Sequence, residues 1–254
     1  MNIIRSIRAE FYKIRHTWLP WAYILIPLSY AFIAYFCCKV TGLKFQEPGS
    51  NIEGYLELLG GVFPIIIGLI TAKAADMEAS SGQFQNMLSI TTSRKTTMIG
   101  KTCSLLLCAL FSISLAVGSF HLLYGQALAG LQGNDVIWVY AVVLLFCGCL
   151  FPYVFHILIS FQFGSGASIG LGFVESLIAF LALTGLGDGI WYYIPCTWMA
   201  RLSGSLIQMW LYPNQMVFYM EIRKCALFAA PTTLLLLLVL LGWFSRWEGR
   251  AAVD

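Results

Sequence analysis

KAADMEASSGQFQNMLSITTSRKTTMIGK, running from Lys73 to Lys101, is the longest polar interruption in the first half of a very apolar chain. A segment long enough to cross a bilayer stands on each side of it, so the stretch reads as a loop between two membrane spans that carries a short helix. Met77, Phe84 and Leu88, with Met87 beside the last, recur at helical spacing and would form one apolar stripe. Asp76 and Glu78 suit the N-terminus of such a helix, where the macrodipole favours negative charge. Ser80, Ser81 and Gly82 weaken its middle, and Arg94, Lys95 and Lys101 set positive charge before the next span.

The composition agrees with a membrane setting. Of 254 residues 59% are hydrophobic and 11% charged, against about 25% charged in soluble domains. The net charge of +3 is small and scattered, which argues against nucleic acid as a partner. The eight cysteines fall mostly in or beside apolar segments without a Cys-x-x-Cys pair, as buried small hydrophobes do, rather than metal ligands. Cys196 and Cys225 are the two that could meet on the outer side. No cleavable signal peptide is expected, because the N-terminal segment is amphipathic and charged.

Outward from the loop, residues 1–17 place Ile3, Ile4, Ile7, Phe11 and Ile14 on one helical face, with Arg5, Arg8, Lys13 and Arg15 largely around the other. This predicts a helix lying along the membrane surface. Six spans follow, at about 18–38, 56–75, 102–124, 136–160, 166–187 and 225–244, each near the 20 residues needed to cross about 30 Å of hydrocarbon. With the N-terminus inside, the cytosol collects Arg5, Arg8, Lys13, Arg15, Lys73, Arg94, Lys95, Lys101, Arg246 and Arg250. The outside collects only Lys39, Lys44, Arg201, Arg223 and Lys224. The positive-inside rule therefore puts both termini in the cytosol.

Short connections make spans three, four and five antiparallel neighbours. Gly164, Gly166, Ser168, Gly170 and Gly172 set small residues four apart on more than one register, which predicts a close helix contact. Residues 188–224 hold Trp191, Trp198 and Trp210 among other aromatics, with Pro195 and Pro213 as breaks. They predict a lid of short helices at the outer interface. Pro64 and Pro231 are expected to kink spans two and six.

Catalytic constellations are missing from the sequence. There is no Walker A loop and no His-Glu-x-x-His; His16, His121 and His156 are dispersed, and Ser165 lies in no Gly-x-Ser-Gly. Glu175 is the one acid deep within a span, where insertion of a charge costs about 3 kcal/mol. It must face protein or water, either as a hydrogen-bonded link between spans four and five, with His156 as its partner, or as a contact for substrate.

An acidic residue, a Ser-Gly pair, an aromatic, a Leu, then Ser-Arg-Lys and a Lys opening the next span (Glu78, Ser81-Gly82, Phe84, Leu88, Ser93-Arg94-Lys95, Lys101) resembles the first intracellular loop of ABC-2 type transporter permeases. Glu10-Phe11-Tyr12-Lys13 and the terminal Trp243 to Arg250 agree, and the whole chain is most similar to the permease subunits of lantibiotic self-immunity transporters. The resemblance implies a single all-α permease domain over 1–254, with six transmembrane helices, an N-terminal interface helix, a coupling helix in loop 76–101 and an outer helical element before span six. It implies that Glu78, Ser81, Gly82, Phe84, Gln85, Leu88 and Arg94 couple to an ATPase, and that Ile7, Glu10, Phe11, Lys13 and Ile14 form the interface helix. Glu175, His156, Trp191, Trp198 and Trp210 are then the substrate or helix-packing candidates.

The resemblance further implies partners: two copies of a separate ABC ATPase carrying ATP and Mg, a second permease in a heterodimer, the lipid bilayer, and an amphipathic antimicrobial peptide as substrate. No cofactor is expected on this chain itself. The setting would be a bacterial, Gram-positive plasma membrane. Two alternatives stand beside this: a permease of the same fold exporting another hydrophobic drug or lipid-linked compound, and a membrane enzyme or regulatory scaffold without transport.

Overall fold

The computed structural model describes residues 3–40, 48–82, 84–88, 93–124 and 136–249. Among these every α or 3-10 element is helical and no strand occurs. The α-helices are α1 (Ile3–Ile14), α2 (Leu19–Val40), α3 (Pro48–Ser80), α4 (Gln85–Leu88), α5 (Arg94–Tyr124), α6 (Val136–Phe163), α7 (Ser165–Ala182), α8 (Trp198–Leu211) and α9 (Met216–Arg246). Three 3-10 turns lie between α7 and α8. Six helices, α2, α3, α5, α6, α7 and α9, are long and apolar enough to cross a membrane.

Burial ranks the spans. Two thirds (67%) of the most apolar window of α3 is buried, against 17% for α2 and 11% for α9. α3 is therefore the central post and α2 and α9 turn most of their apolar surface outward, toward lipid. α7 packs chiefly on α3, α2 on α5, and α6 touches α3, α5, α7, α8 and α9. α5 packs on α6 and α6 on α7, so these successive spans are neighbours.

The α3–α7 contact uses one glycine register and not the other. A Cβ on Gly172 would lie 2.7 Å from the Pro64 carbonyl oxygen, and one on Gly68 would lie 2.7 Å from that of Ser168. Gly166 and Gly170 face open space. The small residues therefore serve to bring two backbones together along Ser168 and Gly172.

Several expectations need correction. The loop helix is a single turn, because α3 runs on to Ser80 and ends at Gly82, whose φ of 107° closes the helix in the left-handed conformation. Ser80, Ser81 and Gly82 thus stop a helix rather than weaken one. Span five ends at Ala182, not Gly187, and the last helix begins at Met216, nine residues before Cys225. Cys196 and Cys225 are buried free thiols and form no disulfide.

The outer stretch is more deeply packed than a lid. Trp191 and Trp198 are 0% and 1% exposed, and most of α8 is buried, chiefly against α3 and α6. Gly60 of α3 and Gly148 of α6 give way to the Met199–Ala200 backbone. Each stands about a dozen residues, or roughly 18 Å at 1.5 Å per residue, in from the start of its helix. α8 is therefore a wedge between two spans, with Trp198 edge-on to Phe151 at 5.6 Å.

Candidate functional site

At the α1 side of the bundle a charged cluster joins three helices. Lys101 Nζ, at the start of α5, donates to Glu10 Oε2 of α1 at 2.6 Å and to Glu78 Oε1 of α3 at 2.8 Å. Lys13 Nζ donates to the same Glu78 oxygen at 2.7 Å and to Glu10 Oε1 at 2.8 Å. Glu10, Glu78 and Lys101 are buried, and Lys13 is partly exposed. Two carboxylates face two ammonium groups, so the cluster is neutral, and each charge removed from water has a charge-assisted hydrogen bond in return. Burial alone would lower the Lys13 pKa, but Glu10 and Glu78 outweigh it and hold the ammonium above its ordinary range.

Glu78 does not sit at a helix N-terminus. It lies in the last turn of α3, where the macrodipole disfavours an anion, and the two lysines offset that cost. α1 meets the bundle along a face that its apolar periodicity does not mark. Ser6, Glu10 and Ile14 are buried against the bundle, while Ile3, Ile4 and Phe11 are 44%, 72% and 39% exposed. Gly100 of α5 leaves room for Ser6, since a Cβ there would overlap its side chain. Ile3, Ile4 and Phe11 are thus left for lipid, while Ile14 joins Ser6 and Glu10 against protein.

Beyond Glu78 the chain turns tightly. Phe84 N donates to the Glu78 carbonyl at 3.2 Å, and Phe84 itself holds φ 68°. This turn points the ring inward: Phe84 is 3% exposed and meets Trp247 at 4.9 Å and Phe161 at 5.7 Å. A docking knob must be exposed, so Phe84 is a core residue of this chain, and Met87 is buried with it. Leu88 is half-buried. Arg94 Nη1 donates to the Trp247 carbonyl at 2.9 Å and pins the end of the chain to α5. Ser81, Gly82 and Gln85 remain exposed, as does Lys95. Lys95 also borders a cavity of about 1150 Å³ together with Gln162, Arg246 and Glu248 among others.

A second polar cluster lies within the spans. His156 Nδ1 is 2.8 Å from Ser168 Oγ and its Nε2 3.0 Å from Glu175 Oε2. Ser168 Oγ also lies 3.1 Å from Thr71 Oγ1, which accepts from Ser160 at 3.2 Å. α3, α6 and α7 are joined by side chains that satisfy one another away from water. The structure brings Glu175 and His156 together. It separates both from Trp210, which lies near the far end of α8.

Sequence reasoning missed Lys101 as the centre of the charged cluster, and Phe161 and Trp247 as the seat of Phe84. It also missed Thr71, Ser160 and Ser168. His156 with Ser160 at four residues and Ser168 with Glu175 at seven share helix faces, and that spacing was the available signal for the intramembrane cluster.

No curated protein and no solved structure matched the chain. The family model described as ABC-2 family transporter protein matches residues 6–180. That match covers α1 through most of α7 and so includes both polar clusters. With six helices long and apolar enough to cross a membrane, the chain belongs to the ABC-2 transporter family and is the membrane component of an ABC transporter that works with an ATPase partner.

Proposed function

We propose that this chain is one permease subunit of a bacterial plasma-membrane exporter that protects its host by expelling an amphipathic antimicrobial peptide. Both termini lie in the cytosol, two copies of the ATPase bind there, and a second, related permease completes the pore. The observation that carries the coupling half is the neutral, buried Glu10–Lys13–Glu78–Lys101 cluster. It ties α1, α3 and α5 together behind the exposed Ser81, Gly82 and Gln85, so a push on those residues is passed to three helices at once.

The ATPase contact falls on Ser81, Gly82, Gln85 and Lys95, with the neighbouring cavity to receive a partner side chain. Glu78, Phe84 and Arg94 support that surface from behind. On the opposite side Leu186, Ile190, Tyr193, Tyr212, Met216 and Tyr219 are exposed. They form an apolar and aromatic rim at which an interfacial peptide would gather, while Trp191 and Trp198 hold the wedge beneath it.

Survival of a sensitive host expressing the permease pair and ATPase, challenged with a lantibiotic, tests this reading. Protection lost on Gln85→Arg with unchanged membrane level supports it. No protection against any such peptide, with protection against a small hydrophobic drug, would move the substrate to the second class.

A further inference from the structure

On the lipid-facing side of α1 a cleft of about 580 Å³ opens between α1, α2 and α5. Phe11, Tyr23, Ile24, Leu107, Cys108 and Phe111 supply its apolar wall. Leu107 and Phe111 are 48% and 54% exposed, so the wall continues onto the outward face of α5. The volume lies within the range of ligand sites, yet the lining holds almost no polar side chain at depth. Its polar groups stand at the mouth. Arg8 and Arg15 both line the cleft, and each guanidinium lies 5.9 Å from the centroid of the same Tyr12 ring, one from each direction along α1. Neither arginine belongs to the ion cluster, which takes Glu10 and Glu78 for Lys13 and Lys101.

We propose that this cleft is a binding site for one anionic phospholipid of the leaflet on which α1 lies, with an acyl chain along Phe11, Ile24, Leu107 and Phe111 and the headgroup phosphate at Arg8 and Arg15. An apolar trough at the side of the bundle suits a chain, and two guanidinium groups that flank Tyr12 in its lining suit an anionic headgroup. A soluble anion would find the charge but not the trough, and a neutral lipid the reverse. α1 is held rigidly by Glu10 and Ser6 on its other side, so the mouth and the trough keep a fixed spacing. This inference does not depend on the transported substrate.

Native mass spectrometry of the purified permease, titrated with phosphatidylglycerol or phosphatidylcholine, tests it. The wild type is expected to retain one phosphatidylglycerol in preference to phosphatidylcholine, and millimolar inorganic phosphate should not displace it. Arg8→Gln with Arg15→Gln should weaken phosphatidylglycerol retention by roughly 30-fold, taking the usual contribution per basic residue at a lipid surface. Leu107→Trp, which fills the trough, should lower retention of both lipids. Equal retention of the two lipids by the wild type, displacement by phosphate, or unchanged retention in both variants would overturn the proposal. A photoreactive phosphatidylglycerol crosslinked to the wild type gives an arm independent of variant folding. Label within residues 8–24 and 107–111 supports the site, and label confined elsewhere refutes it.

Discussion

Lys101 Nζ lies 2.6 Å from Glu10 Oε2, and this pair joins the first helix of the chain to the third span across ninety intervening residues. Replacing it tests the whole α1-side cluster. Lys101→Met leaves Glu10 and Glu78 buried with the partly exposed Lys13 as their remaining cation. Breaking a buried pair from one side costs about 3–5 kcal/mol, so a clear drop in the melting temperature in detergent is expected. The double variant Lys101→Met with Glu10→Gln should recover part of the loss. A melting temperature unchanged by Lys101→Met would show that the cluster does not stabilise the bundle.

Phe84 and Gln85 are neighbours with opposite roles. Phe84→Ala removes a ring buried against Phe161 and Trp247 and should cost about 3–5 kcal/mol locally, seen as faster proteolysis at the C-terminal end. Gln85→Arg touches no such packing and should leave melting intact while reducing co-purification of the ATPase. Intact folding with lost association in Phe84→Ala would restore it as the docking knob.

His156 and Glu175 test the intramembrane cluster. Glu175→Gln keeps a side-chain oxygen and an N–H at the same place and should melt as the wild type does. Glu175→Leu leaves His156 Nε2 without its partner, at about 1–3 kcal/mol. Should Glu175→Gln fold normally but abolish protection, the acid would belong to transport rather than to packing.

Gly172 probes the α3–α7 crossing. Gly172→Ala drives a methyl against the Pro64 carbonyl, and the backbone cannot yield as a side-chain end could. A cost of about 1–3 kcal/mol is expected, whereas Gly170→Ala, facing open space, should be neutral by thermal melting. Similar losses from both would contradict the register.

Topology has a direct check. Single cysteines at Ser81 and at Leu186, both exposed, in a background free of native cysteines, should be labelled from the cytosol and from outside respectively by impermeant maleimide. Labelling of both from one side would remove the proposed orientation.

The spans were legible in the sequence because hydropathy is a local property: α2 and α6 lie close to their expected ranges, and α5 ends where expected but begins eight residues earlier. What depends on distant partners was not legible. Glu78 looked like a helix-start acid because Lys13 and Lys101 cannot be seen from residues 76–90. Phe84 looked like an exposed knob because its seat comes from Phe161 and Trp247, which arrive 77 and 163 residues later. The outer aromatics suggested an interfacial lid, since Trp is at home at an interface, yet Gly60 and Gly148 made room for α8 to sink between two spans. The α1 stripe was legible, whereas the packing of Ser6 and Glu10 on the bundle was not, because the counter-charge of Glu10 on Lys101 lies 91 positions away.

The separation of Glu10 from Lys101, 91 positions along the chain, bears on biogenesis. During synthesis at about 5–20 residues per second, Glu10 emerges roughly 5–20 s before its buried counter-ion exists. Until then Glu10 has only the partly exposed Lys13 of its own helix as a cation, so the buried arrangement of α1 against the third span cannot be completed while the first two spans enter. Insertion of the third span delivers Lys101 and permits α1 to close, which makes the docking of the first helix a late event and a natural check that the first half of the protein has been threaded in the right direction.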